Sequence, residues 1–239
     1  MYAVTSSKGA SEMFEALGSD LESAIKAAGA KDFKGYSLNT NAKMTQVTDL
    51  EHISSPNVMA VLEGSDPQLK NEYVVISAHL DHVGGHCPRR ANDTATDGDT
   101  ICNGAMDNAS GTATTMEVAK AFANMKVAPK RSVIFLHVTA EEKGLLGAEW
   151  FANNPTVPAD SLVADVNLDM PVLLYDFADV VAFGAEHSTI GEIARPALAK
   201  IGVGLADDPR PEENLFQRSD HYRFVEKGIP SVFLMTGPT

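Results

Sequence analysis

Residues able to do metal or acid–base chemistry stand where buried-type runs of this sequence give out. Val74, Val75 and Ile76 lead directly into His79-Leu80-Asp81-His82. Asp107 opens a turn-like Asp107-Asn108-Ala109-Ser110-Gly111, just before a helical pattern. Residues 131–139 (RSVIFLHVT) run into Glu141-Glu142, residues 162–168 end at Asp169, and His221 follows a Pro- and acid-rich loop at 207–218. Each has an ordinary explanation alone: a surface pair, solvated charge, a helix cap or a strand-end turn residue. Their joint placement at element ends is what carries information. Two imidazoles with three carboxylates suit a borderline metal such as zinc, with manganese and cobalt as alternatives. Two ions about 3.5–4 Å apart need a bridging carboxylate, for which Asp107 is the natural candidate. Glu141 and Glu142 can divide the remaining work, one as base for a water and one as ligand.

These residues are far apart in sequence, so a scaffold must bring them together. Apolar runs at 57–62, 72–78, 131–139, 162–168, 180–183 and 230–235 read as strands. Helical spacing marks 110–125, 145–153, 190–201 and a short segment at 220–226. Strands alternating with helices predict an α/β protein: a three-layer α/β/α sandwich around a mixed, mostly parallel sheet. In such sheets the carboxyl ends of the strands share one edge, where ligands bind. Upstream, residues 10–28 read as one helix stopped by Gly29, and 33–44 and 46–53 as two short strands. Residues 84–104, rich in Gly, Asp, Asn and Thr, read as a long loop of functional type.

The 239 residues, 44% hydrophobic and 21% charged, are enough for one well-cored domain with an appendage. No run of 18 apolar residues is present, so no membrane span is expected. A net charge of −13 argues against nucleic acid as a partner, because phosphates would be repelled. The two cysteines, Cys87 and Cys102, lack metal-pair spacing. A disulfide between them would close a loop of about 15 residues, worth roughly 3 kcal/mol; the alternative is two free thiols of a cytosolic protein.

Five segments together resemble the di-zinc aminopeptidase family of metallopeptidase clan MH, the bacterial leucyl aminopeptidase type. They are AHLDHVG (78–84), NGAMDNASGTA (103–113), TAEEKGLLGA (139–148), NLDM (167–170) and RSDHYRF (218–224), spread over residues 57–236. The resemblance implies two zinc ions, with His79 and Asp169 on one, Glu142 and His221 on the other, and Asp107 between them. It implies that Asp81 orients His79 through the second ring nitrogen. Glu141 is implied as general base, and a cis peptide is implied after Asp107. The implied activity is removal of N-terminal residues from peptides, with the 207–218 loop, including Phe216 and Arg218, lining the side-chain pocket.

Relatives within the clan supply alternatives: a carboxypeptidase or dipeptidase, a glutaminyl cyclase, and a catalytically impaired scaffold. A terminal-carboxylate site needs clustered cations, and only Arg210, Arg218 and Arg223 stand near the site in sequence. Residues 1–45 resemble the remnant of an inserted protease-associated domain with its connector. Residues 46–239 resemble the peptidase domain, truncated at both ends relative to the family, from which a homo-oligomer is expected. The resemblance implies an extracytoplasmic location, although residues 1–10 do not read as a signal peptide.

Overall fold

The computed structural model describes residues 5–41, 43, 45–85, 100–172 and 174–237. They divide into two units, 1–52 and 53–239. The first holds α1 (Ser7–Ala16) and α2 (Leu21–Ala28). The single helix expected over 10–28 is thus two. Gly18 adopts φ 70°, and the Asp20 carboxylate then caps α2 by accepting from Ser23 N at 2.8 Å. No strand occurs among the described residues of 33–53, so the two strands expected there are absent.

The second unit contains β1 (Val58–Leu62), β2 (Tyr73–His79), a two-residue ribbon of β3 (Gly84–Gly85) and β4 (Ile101–Cys102), and then α3 (Gly111–Ala123). It continues with β5 (Ser132–Val138), α4 (Leu146–Asn153), β6 (Leu162–Leu168), β7 (Asp179–Phe183) and α5 (Ile190–Ala199). It closes with β8 (Gly204–Ala206), α6 (His221–Val225) and β9 (Ser231–Thr236). The ribbon lies within the expected 84–104 loop, and Cys87 lies outside the described residues.

Seven strands form one sheet in the order β1-β5-β2-β6-β9-β7-β8. β5, β2, β6 and β9 are parallel neighbours, β1 is antiparallel to β5, and β7 is antiparallel to β9. The sheet is therefore mixed and mostly parallel, as expected. Alternation along β5 shows the three layers. Ile134, Leu136 and Val138 join Phe151 of α4 and Phe224 of α6 in one core, while Phe135 faces the other way and meets Phe122 of α3 edge-on at 6.0 Å. Both faces of β5 are covered, which is why it reads as a continuous apolar run. Burying a side chain such as Ile134 or Phe224 contributes roughly 1.5–3 kcal/mol.

The common edge of β2, β5 and β6 is fastened by Asn57. Its amide donates to Gly147 O at 2.9 Å and accepts from Thr139 N at 3.0 Å, tying the end of β5 to the start of α4. A Cβ on Gly147 would lie 2.2 Å from Thr139 O, so only glycine permits this approach.

Candidate metal centre

His79 ends β2 and is fully buried. Its carbonyl accepts from Thr112 Oγ1 of α3 at 2.9 Å. Its Nδ1 lies 3.0 Å from the Asp81 backbone carbonyl, a partner that makes Nδ1–H the donor. Nε2 then faces Asp107 Oδ1 at 3.1 Å, Asp169 Oδ1 at 3.2 Å and Glu141 Oε2 at 4.0 Å. Burial alone would depress this imidazole. The carboxylates of Asp107 and Asp169, with Glu141 behind them, outweigh it and raise its pKa to about 11. Asp107 is held below the ordinary carboxylate range by His79, against the effect of burial.

A second group forms beside the first. His82 Nδ1 lies 2.6 Å from Glu142 Oε1 and 3.8 Å from Asp107 Oδ2. His82 Nδ1 and Glu142 Oε1 are buried, yet neither makes a hydrogen bond of good geometry. Two inward-pointing donor atoms left unsatisfied in this way suit a shared cation. Within His79, Glu141 and Asp169, and again within His82, Asp107 and Glu142, one ligand atom from each residue lies within 4.8 Å of the others. Asp107 addresses both histidines, Oδ1 toward His79 and Oδ2 toward His82. This mixed imidazole–carboxylate donor set fits zinc.

The backbone at the site is specialised. Asp107-Asn108 is a cis peptide, as the resemblance implied. Asn108, which the sequence reading passed over, clamps two elements together. Its Nδ2 donates to Leu168 O at 2.9 Å, and its Oδ1 accepts from Gly111 N at 3.0 Å and Met170 N at 3.1 Å. The residues beside Asp107 and Asp169 are thereby joined. A Cβ on Gly111 would lie 2.3 Å from both Asn108 Oδ1 and Leu168 O. The Asp-Asn-x-x-Gly spacing was visible in the sequence, but nothing there showed that the amide bridges to β6.

Asp81 acts differently from the expectation. It reaches His79 Nδ1 through its backbone carbonyl, with its carboxylate oxygen 3.7 Å from that nitrogen. The carboxylate instead accepts from Glu141 N at 3.1 Å and Glu142 N at 3.3 Å. It therefore fixes the turn carrying both glutamates, where Ala140 and Leu145 have positive φ. Glu141 is raised to about 7 by burial first, opposed by His79 and reinforced by Asp169, Glu142 and Asp107.

His221 is not brought into either group. Its buried ring lies 5.4 Å from that of Phe216 and 5.5 Å from that of Phe233. Burial lowers its pKa to about 4, against the Phe216 backbone and Asp169. The histidine found beside Glu142 is His82. What the 218–224 segment does supply is Ser219, whose hydroxyl donates to Asp169 Oδ2 at 2.7 Å. Asp220 follows, fully buried, its carboxyl pushed well above the ordinary range by burial and by Glu141.

Residues 57–239 match the family model of Peptidase family M28. The chain belongs to this family. A probable zinc metalloprotease of Pyrenophora teres f. teres is 35% identical over 118 residues, covering 49% of this chain and 23% of that protein. A probable leucine aminopeptidase 2 of Aspergillus oryzae is 28% identical over 194 residues, covering 78% of this chain and 34% of that protein. The M28 chain thus spans about a quarter to a third of these relatives' lengths. Among solved structures, the aminopeptidase from Aneurinibacillus sp. strain AM-1 superposes with a TM-score of 0.57 at 23% identity, over 77% of this chain and 39% of that one. The zinc aminopeptidase BSAP from Bacillus subtilis gives 0.56 at 24% identity, over 76% and 40%. These two likenesses establish the fold of the M28 chain.

Proposed function

We propose that this chain is the catalytic part of a zinc-dependent aminopeptidase that removes N-terminal residues from peptides. The observation that carries the reading is the double reach of Asp107 between His79 and His82, with Asp169 beside the first histidine and Glu142 beside the second. His79 and Asp169 would hold one zinc ion, His82 and Glu142 a second, and Asp107 would serve both. The ions, when bound, supply Lewis acidity and bring the pKa of a water toward about 7.

The protein's own part is to place a base and exclude disorder around it. Glu141 takes the proton of the attacking water and returns it to the departing amine. Asp81 keeps Glu141 in position by holding its backbone N–H, and Ser219 fixes Asp169 from behind. An acid-rich site favours a substrate's amino terminus over a terminal carboxylate. Two of the cations a carboxypeptidase would need are already engaged: Arg210 pairs with Glu213 at 3.0 Å, and Arg223 with Glu226 at 3.0 Å. The disulfide at Cys102 supports an oxidising, extracytoplasmic compartment.

Zinc content and hydrolysis of aminoacyl-p-nitroanilides, compared between wild type and Glu141→Gln, test the proposal. Wild type should bind two zinc equivalents and turn over. Glu141→Gln should keep the metal and lose about 10²–10⁴-fold in kcat. An unimpaired glutamine variant would remove Glu141 from its role, and turnover with no bound metal would remove the whole reading.

A further inference from the structure

A cavity of about 450 Å³ lies where β7, β8 and α5 meet, apart from the two metal-binding groups. Its lining includes the apolar rings of Phe183 and Phe216. Its walls carry four carboxylates, Glu186, Glu192, Asp207 and Asp208, against one guanidinium, Arg195. Arg195 Nη1 is turned to a backbone oxygen, Leu205 O, at 3.4 Å. Among the described residues neither Glu192 nor Asp207 forms an ion pair, and Glu186 meets only the exposed His187, at 3.6 Å. A convex surface would disperse this negative charge into solvent; a concavity with low-dielectric walls concentrates it.

Phe216 belongs both to the cavity lining and to the segment that leads to Ser219 and His221. Its ring forms part of the cavity wall and packs 5.4 Å from the His221 ring. Three residues on, Ser219 holds Asp169. The ring leans over the end of β7 because Gly184, at φ 88°, has no Cβ; one built there would lie 2.5 Å from Phe216 Cε2.

We infer that this cavity receives the side chain of a basic N-terminal residue, lysine or arginine. The inference rests on the aminopeptidase reading and names its substrate class. Lysine and arginine combine an apolar stem with a cationic tip, matching a lining that mixes aromatic rings with acidic residues. A leucine side chain would meet the aromatic rings and leave the acidic residues unanswered.

The test compares Arg-, Lys- and Leu-p-nitroanilide hydrolysis by the full chain as wild type and as the Glu192→Gln/Asp207→Asn double variant. Calorimetric binding of L-arginine amide and L-leucine amide accompanies it. Wild type should prefer the basic anilides in kcat/KM by about tenfold or more. The double variant should lose that preference, keep its zinc content, and change by less than about twofold on the leucine anilide. Efficient leucine hydrolysis with no basic preference, or a preference that survives the double variant, overturns the cavity assignment and leaves the aminopeptidase reading standing. No turnover of any anilide defeats the aminopeptidase reading instead. In that case arginine amide binding that the double variant abolishes still supports the cavity, and absent or unchanged binding rejects it.

Discussion

His82 and His221 are the two imidazoles that could complete the second metal position, and they are told apart by a few ångströms. Both sit in motifs that resemble the aminopeptidase family, and nothing in a sequence says which imidazole faces Glu142. The turn after β2 carries His82 back to 2.6 Å from that carboxylate, while His221 is enclosed by Phe216 and Phe233. Both His221 ring nitrogens are buried without a hydrogen-bond partner, as His82 Nδ1 is, so substitution must decide between the two. His82→Ala should weaken one of two zinc sites by more than the roughly 10–100-fold that loss of a supporting partner costs, while thermal stability in the apo form holds. His221→Leu should keep both zinc equivalents and change the melting temperature instead. Chelator-competition titrations measure the first effect and apo-protein melts the second. If His221→Leu loses one equivalent and His82→Ala keeps both, the assignment reverts to the one expected from the motif. The same division runs through the other site residues. The positions of His79, Glu141 and Asp169 at strand ends, and of Asp107 ahead of a helix, were legible because the elements beside them are strongly patterned. The carbonyl contact of Asp81 and the clamp by Asn108 were not, because backbone partners leave no mark on residue type.

Among the elements, β6 shows how a strand can be buried and polar together. Asp165, Asn167 and Asp169 recur every second residue and so point to one face. Ser77, paired in register with Asn167, places its hydroxyl 2.8 Å from Asp165 Oδ1; Asn167 Nδ2 donates to Ser219 Oγ at 2.7 Å, and Ser219 in turn holds Asp169. Asp165 is the expensive member of this chain. It is fully buried, and burial raises its pKa from 3.8 to about 8, with Ser77 opposing only in part. A folded-state pKa above the unfolded one means the native protein holds a proton that the unfolded chain releases. Stability from this group is therefore intact below about pH 4 and falls as pH rises toward 8. Asp165→Asn keeps an acceptor for Ser77 and cannot ionise. It should melt above wild type at pH 8, by on the order of a few kcal/mol, and the gap should close toward pH 4. A gap that does not vary with pH would show that Asp165 is not held neutral. Strands such as β2 and β5 were readable from sequence because burial on both faces leaves nearly continuous apolar runs. The alternation at 33–53 looked strand-like without a sheet to join, and the three residues of β8 are too few for periodicity to register.

At the scale of the whole molecule, the family match begins at residue 57, just inside the second unit, which starts at 53. The catalytic reading thus belongs to one compact unit. Its compartment is a separate question, and the chain's chemistry bears on it. No helix among the described residues is long and apolar enough to cross a membrane. Neither the charge of −13 nor the zinc ligands distinguish a reducing environment from an oxidising one. The cysteines do. Cys102 lies in the β3–β4 ribbon, paired in register with Gly84, and is disulfide-bonded. The ribbon follows His79 and His82 and precedes Asp107, so a covalent tie here restrains the connection between the two histidines and that aspartate. Structural disulfides persist in oxidising compartments and are rare where glutathione keeps thiols reduced. Purified protein, denatured without reductant, should therefore show no reactive thiol, and two after reduction, since the chain contains two cysteines. Reduction should lower the melting temperature, because cross-linking a loop of this size is worth roughly 3 kcal/mol. Two thiols titrating before reduction would place the protein in a reducing compartment and leave the metal centre to hold this connection without covalent help.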